Sequence, residues 1–278
     1  MTLVRGQAGA TALPKHLVAN PVLSRWITVR GDGIVEVRVG KVELGQGILT
    51  ALAQLAADEL DLGLDQVRMQ PARTGEGPDE GLTAGSMSVS DSGSALRLAC
   101  ANVRGLFMAE AARRWQVDIG RIVVERGTIR TVDASRVTTY AELSGSVDLD
   151  VDADPNVTIK AVHELRAVGT SAARLDLPDK IAGRPRYISD LRLPGQMFGR
   201  VVRPPSPGAQ LLSVDHAALG PASVQVVRDG SFLGVIGDDE AEVVRAVERL
   251  RAASTWRESA LLPDENDLVG FLKVGPHE

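Results

Sequence analysis

The feature that most restricts the fold is a change of hydrophobic period across one glycine turn. Val35, Val37 and Val39 alternate with Glu36 and Arg38, the period of two expected of a half-buried strand. After Gly45-Gln46-Gly47 the apolar positions become Ile48, Leu52, Leu55, Ala56 and Leu60, which share one helical face with Thr50, Gln54, Asp58 and Asp61 opposite. Two periods joined by a tight turn specify a helix packed on a sheet. Trp26 to Arg30, across Gly31-Asp32-Gly33, completes a hairpin, and Gly63 is the expected helix stop.

The rest of the chain extends this mixed pattern. Gln66 to Gln70 reads as a short strand, Thr74 to Gly85 as a long glycine-rich loop, and Ser92 to Trp115 as a second helix buried along Leu96, Cys100, Val103 and Phe107. Ile122 to Glu125 and Ile129 to Val132 predict another hairpin. Asp148, Asp150, Asp152 and Asp154 alternate, but the glycine and distal glutamate of a calcium loop are misplaced, so this stretch reads as a solvated linker. The domain boundary is therefore expected between Asp148 and Ala172. Beyond it, strand-like Gln196 to Arg203, Gln210 to Val214, Ser223 to Val227 and Phe232 to Ile236 precede a helix, Glu240 to Arg251, whose apolar side is Val243, Val244, Val247 and Leu250. The fold class is α+β.

Composition narrows the chemistry. A chain of 278 residues with net charge −5 has no electrostatic footprint for nucleic acid or an anionic membrane, and no apolar run is long enough to span a bilayer. The single cysteine, Cys100, lies on the buried stripe of the second helix, and alone it excludes cysteine-ligated zinc or an iron–sulfur centre held by this chain. Met1 to Asn20 has neither an apolar core nor a twin arginine, so it reads as a lead-in arm and the default compartment is the cytoplasm.

Two segments carry candidate chemistry. Gly45, Gln46 and Gly47 stand at a strand-to-helix junction, where glycines admit a ligand close to the backbone, the helix start offers free N–H donors, and Gln46 adds a donor and an acceptor. Thr83-Ala84-Gly85-Ser86-Met87-Ser88-Val89-Ser90 is small and hydroxyl-rich, and its Ser and Gly residues suit one anion. Each is equally a structural turn or a helix cap. His16, His163, His216 and His277 have no metal-ligand spacing, no serine sits in a Gly-x-Ser-x-Gly turn, and Glu43 reads as an exposed strand-end carboxylate. No residue is assigned as a catalytic base or a metal ligand.

Gly40-Lys41-Val42-Glu43-Leu44-Gly45-Gln46-Gly47-Ile48 with Thr50-Ala51-Leu52-Ala53-Gln54, then Glu80-Gly81-Leu82-Thr83-Ala84-Gly85-Ser86, resembles the molybdenum-binding large subunit of the xanthine oxidase and aldehyde oxidase family, in its isoquinoline 1-oxidoreductase beta-subunit-like branch. The likeness continues through Arg174-Leu175-Asp176, Lys180-Ile181-Ala182-Gly183, Asp190-Leu191-Arg192-Leu193-Pro194-Gly195 and Gly199-Arg200-Val201-Val202-Arg203-Pro204-Pro205. The resemblance implies molybdopterin cytosine dinucleotide, whose dithiolene holds the molybdenum, with Gly45, Gln46, Gly47, Gly85, Ser86 and Ser88 as cofactor contacts. It implies [2Fe–2S] clusters on an iron–sulfur partner, and a small aldehyde or N-heterocycle as substrate, oxidised with water as oxygen source. Its layout is a lead-in arm (1–20), a molybdopterin-binding segment (21–150), a linker (151–171), an aldehyde oxidase hammerhead-like α+β domain (172–262) and a C-terminal tail (263–278).

Large subunits of that family are much longer, and their catalytic glutamate lies far beyond the matching region. The resemblance therefore implies a partial subunit, inactive alone, that a complementary large-subunit chain completes in a hetero-oligomer, with apolar surface left for that chain to cover. The alternative is a non-catalytic module that binds the pterin dinucleotide or scaffolds assembly.

Overall fold

The computed structural model describes residues 12–185, 187–220, 223–258 and 263–275. Its contacts divide it into two units between Arg184 and Pro185. No described helix is long and apolar enough to cross a membrane.

The first unit opens with helix α1 (Lys15–Ala19), whose His16 and Leu17 are buried. The described part of the expected arm is therefore packed, and Asn20 fixes it by donating from Nδ2 to the Asp79 carbonyl (2.8 Å) and accepting from the Asp79 N–H (2.9 Å). Residues 1–11 of that arm lie outside the described residues. Strands β1 (Ile27–Val29) and β2 (Val35–Arg38) form the expected antiparallel hairpin. Helix α2 (Ile48–Glu59) then crosses over to β3 (Val67–Gln70), which pairs with β2 in parallel, as a helix between two strands of one sheet permits.

Helix α3 (Ser94–Trp115) follows a π-helical turn, Ser88–Gly93, and buries Leu96, Cys100, Val103 and Phe107 completely. A meander of β4 (Ile122–Glu125), β5 (Thr128–Thr131) and β6 (Val137–Thr139) leads into the single turn α4 (Tyr140–Leu143). Helix α5 (Leu177–Ile181) closes the unit.

The main departure from the sequence reading lies between residues 149 and 170. Two-sided amphipathicity predicted an exposed polar face on α2 and a solvated linker later in the chain; the structure packs one against the other. Leu23 and Ser24 N–H groups donate to Val151 O (3.0 Å) and Leu149 O (2.8 Å), and Ala153 N–H donates to Pro21 O (2.9 Å). The Asp58 carboxylate then accepts the N–H groups of Arg166, Ala167 and Val168 at 2.8, 2.9 and 2.8 Å. Glu59, fully buried, takes Arg97 Nε (2.9 Å), Arg97 Nη2 (2.6 Å) and Lys160 N–H (3.2 Å), while Gln54 Nε2 donates to Ala167 O (2.6 Å) and Thr170 O (3.1 Å). A buried carboxylate is costly unless its lone pairs are filled; the returning strap fills those of Asp58 and, together with Arg97 of α3, those of Glu59. Residues 151–171 therefore belong to the first unit, and the division falls at Arg184 instead of between Asp148 and Ala172.

Two smaller corrections have the same origin. Gly63 does not stop α2, since its backbone is extended; Asp61 takes the left-handed conformation there (φ 53°). In the second unit Val244 is 39% exposed and Ala246 takes its place on the buried face of α6, because the sheet lies under the 243, 246, 247 and 250 positions.

The second unit is built from β7 (Phe198–Val201), β8 (Gln210–Val214), β9 (Val224–Asp229), β10 (Phe232–Gly237), α6 (Glu240–Ala252) and β11 (Ser254–Arg257). One sheet has the order β7-β10-β9 and β11 pairs with β8, all antiparallel. Helix α6 covers a core of Val202, Leu211, Leu233, Val235, Val243 and Leu250. Of the regions expected past it, residues 259–262 and 276–278 lie outside the described residues, and the described tail contains α7 (Leu268–Val274). The α+β class expected from the sequence is the class observed.

Candidate functional site

The two segments singled out in the sequence meet. Leu44, Gln46, Gly47, Ile48 and Ala51 form one wall of a cleft of about 460 Å³, and Thr83, Ala84, Ser86, Ser88 and Val89 form the other. Gln46, Gly47, Ser86 and Ser88 line it. Gly45 and Gly85 do not; they shape the two turns from behind, with φ of 110° and 68°.

The first wall is partly closed as a donor site: three of the N–H groups expected to be free at the helix start are already taken. Glu43 Oε1 accepts the N–H groups of Gly45 (2.9 Å) and Gly47 (2.8 Å), and its Oε2 accepts that of Leu49 (3.3 Å). Glu43 is therefore no exposed strand-end carboxylate: its side chain is only 11% exposed and it caps α2 from within the turn. Gly47 immediately before the helix has φ 81°, a conformation that costs a side-chain-bearing residue roughly 1–2 kcal/mol. Gln46 is also partly spent, accepting Leu44 N–H at Oε1 (2.6 Å) and donating from Nε2 to Val42 O (3.1 Å). One amide hydrogen of Gln46 is left for a ligand.

Arg174 holds this turn from outside, donating Nη1 to Gly45 O (2.8 Å) and lying 3.4 Å from Glu43 Oε1. Its guanidinium also reaches Asp176 through Nε (3.0 Å) and Nη2 (2.8 Å). Arg174 first and Lys180 second hold the Asp176 carboxyl well below the usual carboxylate range. Sequence reasoning missed the role of Glu43 although its position, two and four residues before the bonded N–H groups, was readable.

The second wall is open. Among the described residues no protein acceptor takes the N–H of Ala84, Gly85, Ser86 or Met87, and the Ser86 and Ser88 hydroxyls make no hydrogen bond. Ser86 itself has φ 57°, unusual for a residue other than glycine, and it follows Gly85, so two successive left-handed residues turn their amides outward. The π-helical turn that follows widens the entry into α3; such turns recur at ligand sites.

Among the described residues no charged side chain lines the cleft, and Leu44, Ile48, Ala51 and Val89 supply apolar surface. The donor set therefore suits a neutral, flat heterocycle with several acceptor atoms. Its rim is apolar and exposed: Leu44 71%, Leu82 87%, Met87 47% and Val89 55%. Elsewhere the buried Cys100 thiol is pushed up well above its ordinary range by desolvation, which agrees with a packing role. A concavity of about 520 Å³ in the second unit, beside Arg203, Arg251 and Trp256, contains none of the nominated residues.

A family model described as a molybdopterin cofactor-binding domain matches residues 6–174, which takes in both walls of the cleft and the strap behind α2. The chain belongs to that family. The family expected from the sequence, a partial molybdenum-binding subunit of xanthine oxidase type, is the one found. A nicotinate dehydrogenase subunit of Pseudomonas putida is 34% identical over 91% of this chain and 22% of its own length. The isoquinoline 1-oxidoreductase beta subunit of Brevundimonas diminuta is 29% identical over 91% of this chain and 38% of its own. The chain spans well under half the length of these relatives. A solved quinoline 2-oxidoreductase from Pseudomonas putida 86 is 26% identical over 46% of this chain and 18% of that one, with a TM-score of 0.39.

Proposed function

We propose that this chain is the cofactor-holding part of a molybdenum hydroxylase that oxidises an N-heterocycle or an aldehyde. The observation that carries the reading is the convergence, in a member of a molybdopterin-binding family, of Gln46 and Gly47 with Ser86 and Ser88 on one uncharged cleft. The two relatives are named for nicotinate and isoquinoline, both N-heterocycles.

The residues fit a pterin. The open N–H groups of residues 84–87 and the hydroxyls of Ser86 and Ser88 donate to its oxygen and nitrogen acceptors, and the free amide hydrogen of Gln46 donates from the opposite wall. Ile48 and Val89 supply apolar contact for the ring faces. Gly85 and Gly45 keep the two turns in the conformations that present these groups. The form of cofactor we assign is molybdopterin cytosine dinucleotide. When bound, it supplies the oxidation of an electron-poor carbon with water as oxygen source.

The remaining parts are assigned to partners. The catalytic glutamate belongs to a complementary large-subunit chain, and the apolar rim around Leu44, Leu82 and Met87 is the kind of surface such a chain buries. An iron–sulfur subunit would hold [2Fe–2S] clusters to take up the electrons, and we place the assembly in the cytoplasm.

The test is metal and pterin analysis of this chain purified alone and with its complementary chain. The expected result is no hydroxylase activity and little molybdenum alone, with molybdenum and activity in the complex. Full turnover by the isolated chain would sink the half-site assignment. Pterin retained in the complex without turnover would instead favour a non-catalytic binding or scaffold module.

A further inference from the structure

Beneath the cleft, three separate stretches of chain meet on one buried carboxyl group. Glu80 is 3% exposed. Its Oε2 accepts the Gly40 N–H (2.7 Å), just past the end of β2, and the Ser92 hydroxyl (2.9 Å), in the π-helical turn that opens α3. From the other side the buried Lys41 Nζ donates to Glu80 O (2.7 Å) and Leu82 O (3.0 Å), and Val42 N–H donates to Thr83 Oγ1 (3.0 Å). Residues 40–42 are thereby joined along residues 80–83, one step before each enters its wall of the cleft.

The approach is close enough to need glycine. A Cβ on Gly40 would lie 2.7 Å from Pro78 O and 2.9 Å from Glu80 Cβ. The arrangement is also costly: among the described residues the buried Glu80 Oε1 has no hydrogen-bond partner, and both Lys41 bonds go to neutral carbonyls. A leucine or methionine at both positions would spare the chain two desolvated ionisable groups. What the polar version provides, and an apolar one lacks, is a fixed spacing, since hydrogen bonds specify distance and direction where apolar contact does not.

We infer that Glu80, with Lys41, is a positioning residue for the cofactor cleft: it sets the separation of the Gln46 wall from the Ser86 wall. This rests on the cofactor reading above, and two measurements keep the two claims apart. The first is amide hydrogen exchange on pterin-free protein. The second is pterin per chain in the purified complex, measured as the fluorescent oxidised pterin.

Glu80→Ala is expected to speed exchange at least tenfold at Gly40, Val42 and residues 91–93, whose amides are hydrogen-bonded or lie in the π-helical turn, while the β4 to β6 amides keep their rates, and to lower pterin per chain about tenfold. Glu80→Gln keeps an oxygen acceptor for Gly40 and Ser92 and is expected to recover at least half of the pterin. Unchanged exchange at Gly40, Val42 and 91–93, or equal acceleration in the β4 to β6 meander, overturns the assignment. If Glu80→Ala does not fold, Thr83→Val, which removes the acceptor for Val42, is expected to give a two- to threefold acceleration confined to Val42 and residues 91–93, and unchanged rates there would overturn it. Wild-type complex lacking pterin, with the exchange pattern as expected, would refute the cofactor reading while leaving the positioning role standing.

Discussion

The two walls of the cleft are built from similar material and end in opposite states. Both are glycine-containing turns that lead into helices, and from composition either would serve as an anion cradle. Around Gly45-Gln46-Gly47 the N–H groups of Gly45, Gly47 and Leu49 are taken by Glu43, and the turn is further tied down by Arg174. Around Gly85-Ser86 the donors face outward with no protein acceptor among the described residues. The lesson is that a helix start is a ligand site only if no carboxylate within a few residues reaches back to it. One wall is mainly a template, with an amide hydrogen of Gln46 left for a ligand, and the other carries most of the hydrogen bonds offered to it.

Glu43→Ala tests the template most severely. It strips the acceptor from three N–H groups and removes an ion-pair partner of Arg174, so a loss of about 2–3 kcal/mol is expected in denaturant unfolding. A loss below about 0.5 kcal/mol, the scale of an ordinary surface change, would show that the first wall is not held as described.

Gly47→Ala comes next. Its Cβ would meet only the flexible Arg174 side chain, at 3.7 Å, so the cost is the left-handed backbone, about 1–2 kcal/mol, again read from an unfolding curve. Gln46→Ala removes two loop hydrogen bonds and should cost about 1 kcal/mol in stability, but should lower pterin occupancy of the complex by a larger factor. Equal occupancy would make Gln46 a purely structural residue.

The smallest stability effect is expected on the open wall. Ser86→Ala breaks no protein hydrogen bond and should leave unfolding within about 0.5 kcal/mol of the parent, while pterin per chain falls severalfold. Stability losses confined to residues 43–47, with ligand loss but no stability loss at 84–88, would uphold the contrast. The reverse distribution would dissolve it.

Much of the first unit was legible because its signals are local. The valine alternation at 35, 37 and 39 and the buried stripe Leu96, Cys100, Val103 and Phe107 each report a face that is apolar on one side only, and both were found buried. The polar residues of α2 misled for a specific reason. Asp58, Glu59 and Gln54 have the composition of a solvated face, yet a strap arriving from about a hundred positions later supplies the two carboxylates with N–H donors and the Gln54 amide with carbonyl acceptors. Periodicity cannot distinguish a carboxylate bonded to water from one bonded to distant backbone.

The sequence by itself determined the α+β class, the two cleft segments and the family, because these depend on residue order within short windows. It also placed Cys100 in the core. Tertiary structure alone decided that the segments face each other, that one is already occupied by Glu43, and that residues 151–171 are part of the first unit. Those outcomes depend on which donors and acceptors meet across long loops, a pairing that a linear pattern does not encode.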